Sequence, residues 1–484
     1  MIRRRAILAS GAACAVTALA LPGLAQAHIL EGRKDLPIPA WLFAWGASIV
    51  LIISFFVLSV AWTTQRLETV EWRPIAPRLS RALASRAASV LFGAIGVFLL
   101  GVAVWAGLYG IGTPDLNFSL TFIFVTAWVG LAFLSVLFGN VFRAFNPWRA
   151  VACAFRWFLR KAAGTTPSPP LRYPEKLGRW PAAVGIASFV WMELVYSTSG
   201  FQAVGVEPRA AAIAVLVYSA YTLVAMGLFG VETWLQRGEA FSVYYEMFSQ
   251  LSPLEMRDGR LGRRRPLAAA SHWASVPGSI AMTIVAIGGT TFDGAQEGVL
   301  RSPIISVYNR FQDIGLGSTF GFRLDETLFL LLCFAFVATI FWLGVRGMHL
   351  VRGSPPTRQL GGSFVHTLIP IALAYLTAHY FSLFVFQEQA QFTYLLSNPL
   401  GNGSNYFGTA NAGVDYGLIG TTGVWYVQVA ALLAGHITGL ALAHDRALGI
   451  YPTPRLASLS QRWMLIVMVA FTCFGLFLLS QSNA

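Results

Sequence analysis

Ten stretches of about 20 predominantly apolar residues recur along this chain, and a segment of that length spans the ~30 Å hydrocarbon core of a bilayer as one helix. They cover roughly residues 40–62, 88–110, 118–140, 181–198, 210–234, 273–292, 326–345, 363–386, 417–443 and 463–480. Inside a bilayer every backbone N–H and C=O must find its partner within the protein, so such segments fold as helices that pack on one another. The expected fold is therefore all-α, a polytopic transmembrane helix bundle of about ten spans. Composition agrees. Only 11% of the 484 residues are charged, against about 25% in soluble domains, too few to cover a water-facing surface.

Met1 to Ala27 has the three parts of a secretory signal: Arg3, Arg4 and Arg5, an apolar stretch from Ala6 to Leu21, and the small-x-small site Ala25-Gln26-Ala27. Removal of residues 1–27 leaves one multi-pass domain, 28–484, whose mature N-terminus is the periplasmic His28 of a bacterial inner-membrane protein. That orientation can be tested by charge. The connections it places in the cytoplasm, 63–87, 141–180, 235–272, 346–362 and 444–462, hold 25 Lys and Arg, and the exported segments hold six. Positive residues concentrate on the cytoplasmic side of membrane proteins. The formal charge of +13 is thus topological, and no basic stripe interleaved with aromatics marks a nucleic-acid surface. The partners this implies are membrane lipid and a small apolar molecule; composition sets no oligomeric state.

Two spans are irregular: 181–198 contains Glu193, and 273–292 carries Pro277, Gly288 and Gly289. Each is a candidate for a broken or re-entrant segment, tolerated where neighbouring protein or a wet cavity satisfies the backbone. Gly164 to Pro170 reads as a linker, Gly315 to Gly321 as a loop, and Arg257 to Arg265 as a basic run facing anionic headgroups. The cysteines Cys14, Cys153, Cys333 and Cys473 have neither disulfide-framework nor zinc-ligand spacing.

P-loop, HExxH and GxSxG patterns are absent, which leaves the polar residues of the spans. A charged side chain at a span's centre costs about 2.5–3.5 kcal/mol on insertion scales, so each needs a reason. On the exported half stand Glu193, Asp293, His379 and Glu388, with Asp115, Gln202 and Asp415 in nearby loops; on the other half stand Glu232, His349, His366, His436 and His444-Asp445. His366 and His379 are roughly 20 Å apart along one helix and cannot share a metal. His379 shares its depth with Glu193 and Asp293, and an imidazole with two carboxylates can bind a divalent metal or act as a general base. His379, Asp293 and Glu193 are the candidate catalytic residues, and His379 and Asp293 the candidate metal ligands. A histidine bonded to a neighbouring carbonyl for helix packing has the same sequence signature. His28 is a third candidate metal ligand, because an N-terminal amine beside an imidazole chelates copper. Ala431, Gly435 and Gly439 form a small-residue seam for close helix contact.

His28 to Phe55 (HILEGRKDLPIPAWLFAWGASIVLIISF), Gly289 to Gly294 (GGTTFDG from Gly288), His366 to Phe384 and Trp425 to Ala447 resemble the corresponding segments of the fenitrothion hydrolase family of membrane proteins. One position departs: Ile29 stands where the family carries Gly. The resemblance implies hydrolysis of an organophosphorus ester with release of a nitrophenol, and carries over no catalytic residue. Rival readings are a transporter or permease, which suits broken helices and embedded carboxylates, and a copper- or metal-handling membrane protein.

Overall fold

The computed structural model describes residues 40–164, 168–199, 202–203, 206–273, 275–296 and 298–482. The proposed signal segment and His28 lie outside the described residues. Ten helices form the body: α1 (Ala40–Ala61), α2 (Arg86–Tyr109), α3 (Phe118–Phe138), α4 (Trp180–Tyr196), α5 (Pro208–Phe229), α6 (Ser279–Gln296), α7 (Ser318–His349), α8 (Thr357–Leu395), α9 (Thr421–Ile450) and α10 (Pro454–Ser482). Eight of them, all but α4 and α6, are long and apolar enough to cross a membrane. The chain is a multi-pass, helical membrane protein.

The two exceptions are the two irregular spans. α4 is apolar but short, and its last turn is π-helical over Met192–Tyr196. α6 is the most enclosed of these ten helices, lying against α4, α7, α8 and α10. Its small residues permit this. A β-carbon on Gly288 would meet the Phe334 ring, and one on Gly289 would stand 3.0 Å from Val190. Its threonines bond within the helix, Thr290 and Thr291 donating to the Ile287 carbonyl at 2.8 and 2.9 Å, so their hydroxyls need no outside partner. By contrast α1 is peripheral, with 11% of its most apolar window buried against 61% in α10.

The small-residue seam lies where expected. Gly435 sits against Ala374 and the Pro370 carbonyl, Gly439 against the Thr367 carbonyl, and α9 rests along α8. Close backbone approach of this kind compensates for the missing hydrophobic drive between helices in lipid. At the other end of α9, Asp445 is buried and accepts from Trp62 Nε1 at 3.0 Å and from the backbone N–H groups of Arg66 and Leu67 at 2.6 and 3.0 Å.

Several connections have structure of their own. Residues 141–180 contain the basic helix Pro147–Ala163, capped by Asn146. Residues 235–272 contain the helix Ala240–Ser249 and the hairpin Leu254–Arg257/Arg260–Arg264, which Trp72–Pro74 extends to three strands. The hairpin turns at Asp258-Gly259, both with positive φ (49° and 71°), as a two-residue turn requires. The 315–321 stretch is a turn only as far as Gly317, because α7 begins at Ser318.

Candidate active site

Helix α6 carries Asp293 into contact range of both α4 and α8. Gln296 Nε2 donates to Asp293 Oδ1 at 3.2 Å, one helical turn on. The next residue, Gly294, is the point at which α8 closes on α6. The His379 imidazole lies against it, and a β-carbon there would overlap Cε1 and stand 3.0 Å from Nε2. Asp293 is near enough to act electrostatically on His379, on Tyr380 and on Glu193. The three candidates that share a depth in the sequence therefore share a neighbourhood in space. Each remains partly accessible, whereas His436 is fully enclosed.

Glu193 lies in the π-helical turn of α4. A second π segment, Phe122–Gly130 in α3, lies against α8. The wider turn re-aims side chains and recurs at functional sites. Glu193 Oε2 is buried with no hydrogen-bond partner among the described residues.

An aromatic wall stands behind this cluster. Trp128, in the α3 π segment, has its ring 5.0 Å from Tyr380 and 5.0 Å from Phe189, and its Nε1 donates to the Tyr244 hydroxyl at 3.1 Å. Beyond the wall is an apolar cavity of about 400 Å³ between α2, α3, α4 and α5. Phe189 and Met192 line it, so it adjoins the turn that carries Glu193. Tyr380, Tyr244 and Trp128 carry no sequence signal, since aromatic residues in an apolar span look like core.

Among the described residues no three His, Cys, Asp or Glu side chains gather to hold a metal ion. His28, the other candidate ligand, lies outside those residues. The remaining sequence candidates have structural surroundings. His436 Nδ1 pairs with the Leu432 carbonyl at 2.7 Å, its ring against Tyr375 and Phe471. His366 is buried in the Val365–Leu368 turn, far along α8 from His379. His444 Nε2 donates to the Trp62 carbonyl at 2.9 Å. Glu232 pairs with Arg143 and Arg149 at 2.7 and 3.5 Å, and His349 Nδ1 with the Pro355 carbonyl at 2.9 Å. In the connecting loops Asp415 accepts from the Gly417 N–H at 2.8 Å, while Asp115 sits in the short turn Pro114–Leu116 and Gln202 in the two-residue strand Gln202–Ala203. Two carboxyls stand apart from these: Glu388, and Asp325 on α7, which sequence reading passes over. Both oxygens of Asp325 are buried without a hydrogen-bond partner among the described residues, and the Glu388 carboxyl faces Thr126 of α3.

Compared with protein-family models, with curated proteins and with solved structures, the chain gives no match. The functional reading therefore rests on this geometry and on the resemblance of segments noted above.

Proposed function

We propose that this chain is a membrane-embedded hydrolase of apolar organophosphorus esters of the fenitrothion type. The observation that carries the proposal is the placement of the His379 imidazole against Gly294, beside Asp293, with an apolar cavity adjoining the cluster. An apolar triester partitions into lipid and would enter such a cavity from the bilayer. His379 takes a proton from water as the water oxygen attacks phosphorus; the bond to the nitrophenyl oxygen breaks, and nitrophenolate leaves without needing an acid. Asp293 stabilises the imidazolium that forms, as a carboxylate does in other His-based sites. Tyr380, whose hydroxyl faces the same carboxylate, supplies a donor to the charge growing on the phosphoryl group once it turns to the ester. These side chains and the attacking water carry every step of this scheme.

The test is nitrophenol release from fenitrothion by membranes expressing this chain alone, with and without a chelator. Release that survives chelation and falls at least a hundredfold in H379A and D293N, at unchanged protein level, is expected; loss of a positioned base typically costs 10²–10⁴. Full turnover by H379A would remove the proposal.

A second reading, a permease, is favoured by the buried carboxyl oxygens of Asp325 and Glu388, which suit an ion or proton path across the bundle. Uptake of unaltered substrate into sealed vesicles, with no product in detergent, would select it.

A further inference from the structure

On the side of the bundle that bears the arginine-rich connections, the hairpin, the end of helix Val231–Arg237 and the start of α4 enclose a cavity of about 670 Å³. Four arginines line it, Arg179, Arg237, Arg257 and Arg264, against two glutamates, Glu246 and Glu255. Glu255 is already engaged, pairing with Arg257 at 3.1 Å and Arg264 at 3.3 Å. Arg264 also donates to the carbonyls of Ser249 and Ser252.

The other two, Arg179 and Arg237, line the same cavity. Arg179 lies over the Trp273 ring, 4.3 Å from its centroid, and donates to Ser279 Oγ at 3.0 Å. Burial draws its guanidinium down to about 10; Glu246 opposes that shift and Arg237 adds to it. Arg237 makes no hydrogen bond or ion pair among the described residues. The Trp273 indole N–H is buried without an acceptor and lines the same cavity. With four guanidinium groups to two carboxylates around it, the cavity keeps a positive excess that an anion would neutralise, accepting from Arg237 and from the Trp273 indole N–H.

We propose that this cavity binds a phosphate group, carried by an anionic lipid headgroup or by a free phosphate compound. The excess of two positive charges matches a phosphate dianion, and guanidinium forks suit its oxygens better than ammonium groups would. The volume exceeds that of inorganic phosphate, and Trp273, Val70 and Val276 give an apolar wall for the organic part of an ester.

The experiment measures the melting temperature and affinity of the purified full chain with inorganic phosphate in neutral detergent, and in nanodiscs of phosphatidylglycerol against phosphatidylcholine. Stabilisation by inorganic phosphate identifies a soluble source; stabilisation by phosphatidylglycerol alone identifies the headgroup. In either case R237Q should weaken binding tenfold or more, while R160Q, a basic residue outside the cavity, should leave it unchanged. Should R237Q fail to fold, R257Q replaces it under the same criterion. Absence of stabilisation in both arms, or a response in the variant equal to that of the parent, would overturn the site.

Discussion

The His379 imidazole rests directly on Gly294, with no room for a side chain between α8 and α6. This contact joins the two helices at the level of Asp293 and fixes where the ring can stand. In the fold, Gly294 acts as the floor of the candidate site.

G294A therefore tests the geometry without touching a reactive group. Alanine is a better helix former than glycine by about 1 kcal/mol, so α6 itself is not weakened. The added carbon displaces the imidazole from its place beside Asp293. Nitrophenol release is expected to fall at least tenfold with protein level maintained. In an H379A background the same change should cost nothing further, because the two substitutions act through one contact. Independent, additive losses would show that Gly294 matters for another reason.

Much of this arrangement is legible in the sequence, and the illegible parts have identifiable causes. Glu193, Asp293 and His379 stand out because charged groups are rare in apolar spans, and span positions give their depth. Whether they converge depends on how α6 packs, which hydropathy does not report; Gly288, Gly289 and Gly294 were the only trace of that enclosure. The Arg257–Arg265 run carries a second feature that its charge does not report, a hairpin. Its charge draws attention to headgroups, while the Asp258-Gly259 pair is the usual signal of a two-residue hairpin turn. The meeting of Arg179 with Trp273 joins residues almost a hundred positions apart, and nothing local encodes it.

Asp445 offers a prediction about stability. Its carboxylate collects the Trp62 indole N–H and two backbone N–H groups, holding the 62–67 segment to the end of α9. D445A leaves these buried or half-buried donors without their acceptor, at about 1–3 kcal/mol for a buried group. A clear fall in melting temperature is expected, with a smaller one in D445N, which keeps one acceptor oxygen. An unchanged melting temperature in D445A would mean that water replaces the carboxylate.

The seam between α8 and α9 can be probed by size. G435L would drive a side chain into Ala374 and the Pro370 carbonyl, whereas Ala434, one position away, is exposed on the other face. Size-exclusion profiles should show G435L lost or aggregated and A434L like the parent, as expected where close backbone contact holds membrane helices together. Equal tolerance of both would place the helix pairing elsewhere.

The last prediction concerns stability in the absence of any anion. With its guanidinium held at about 10 in the fold, below the ordinary arginine value, Arg179 favours its neutral form on folding. The linked stability is present only above the unfolded value and is lost as pH falls through about 10, so at neutral pH the fold carries the full cost of the charge. Arg237 contributes part of that cost by repulsion. R237Q should therefore melt slightly above the parent protein at pH 7 and low salt, and added salt should narrow the difference by screening the pair. Exposed substitutions away from such a cavity leave stability within about 0.5 kcal/mol, which makes R160Q, on the exposed face of the helix Pro147–Ala163, the reference. If R237Q melts below R160Q at low salt, Arg237 is held by an attraction and not strained by a repulsion.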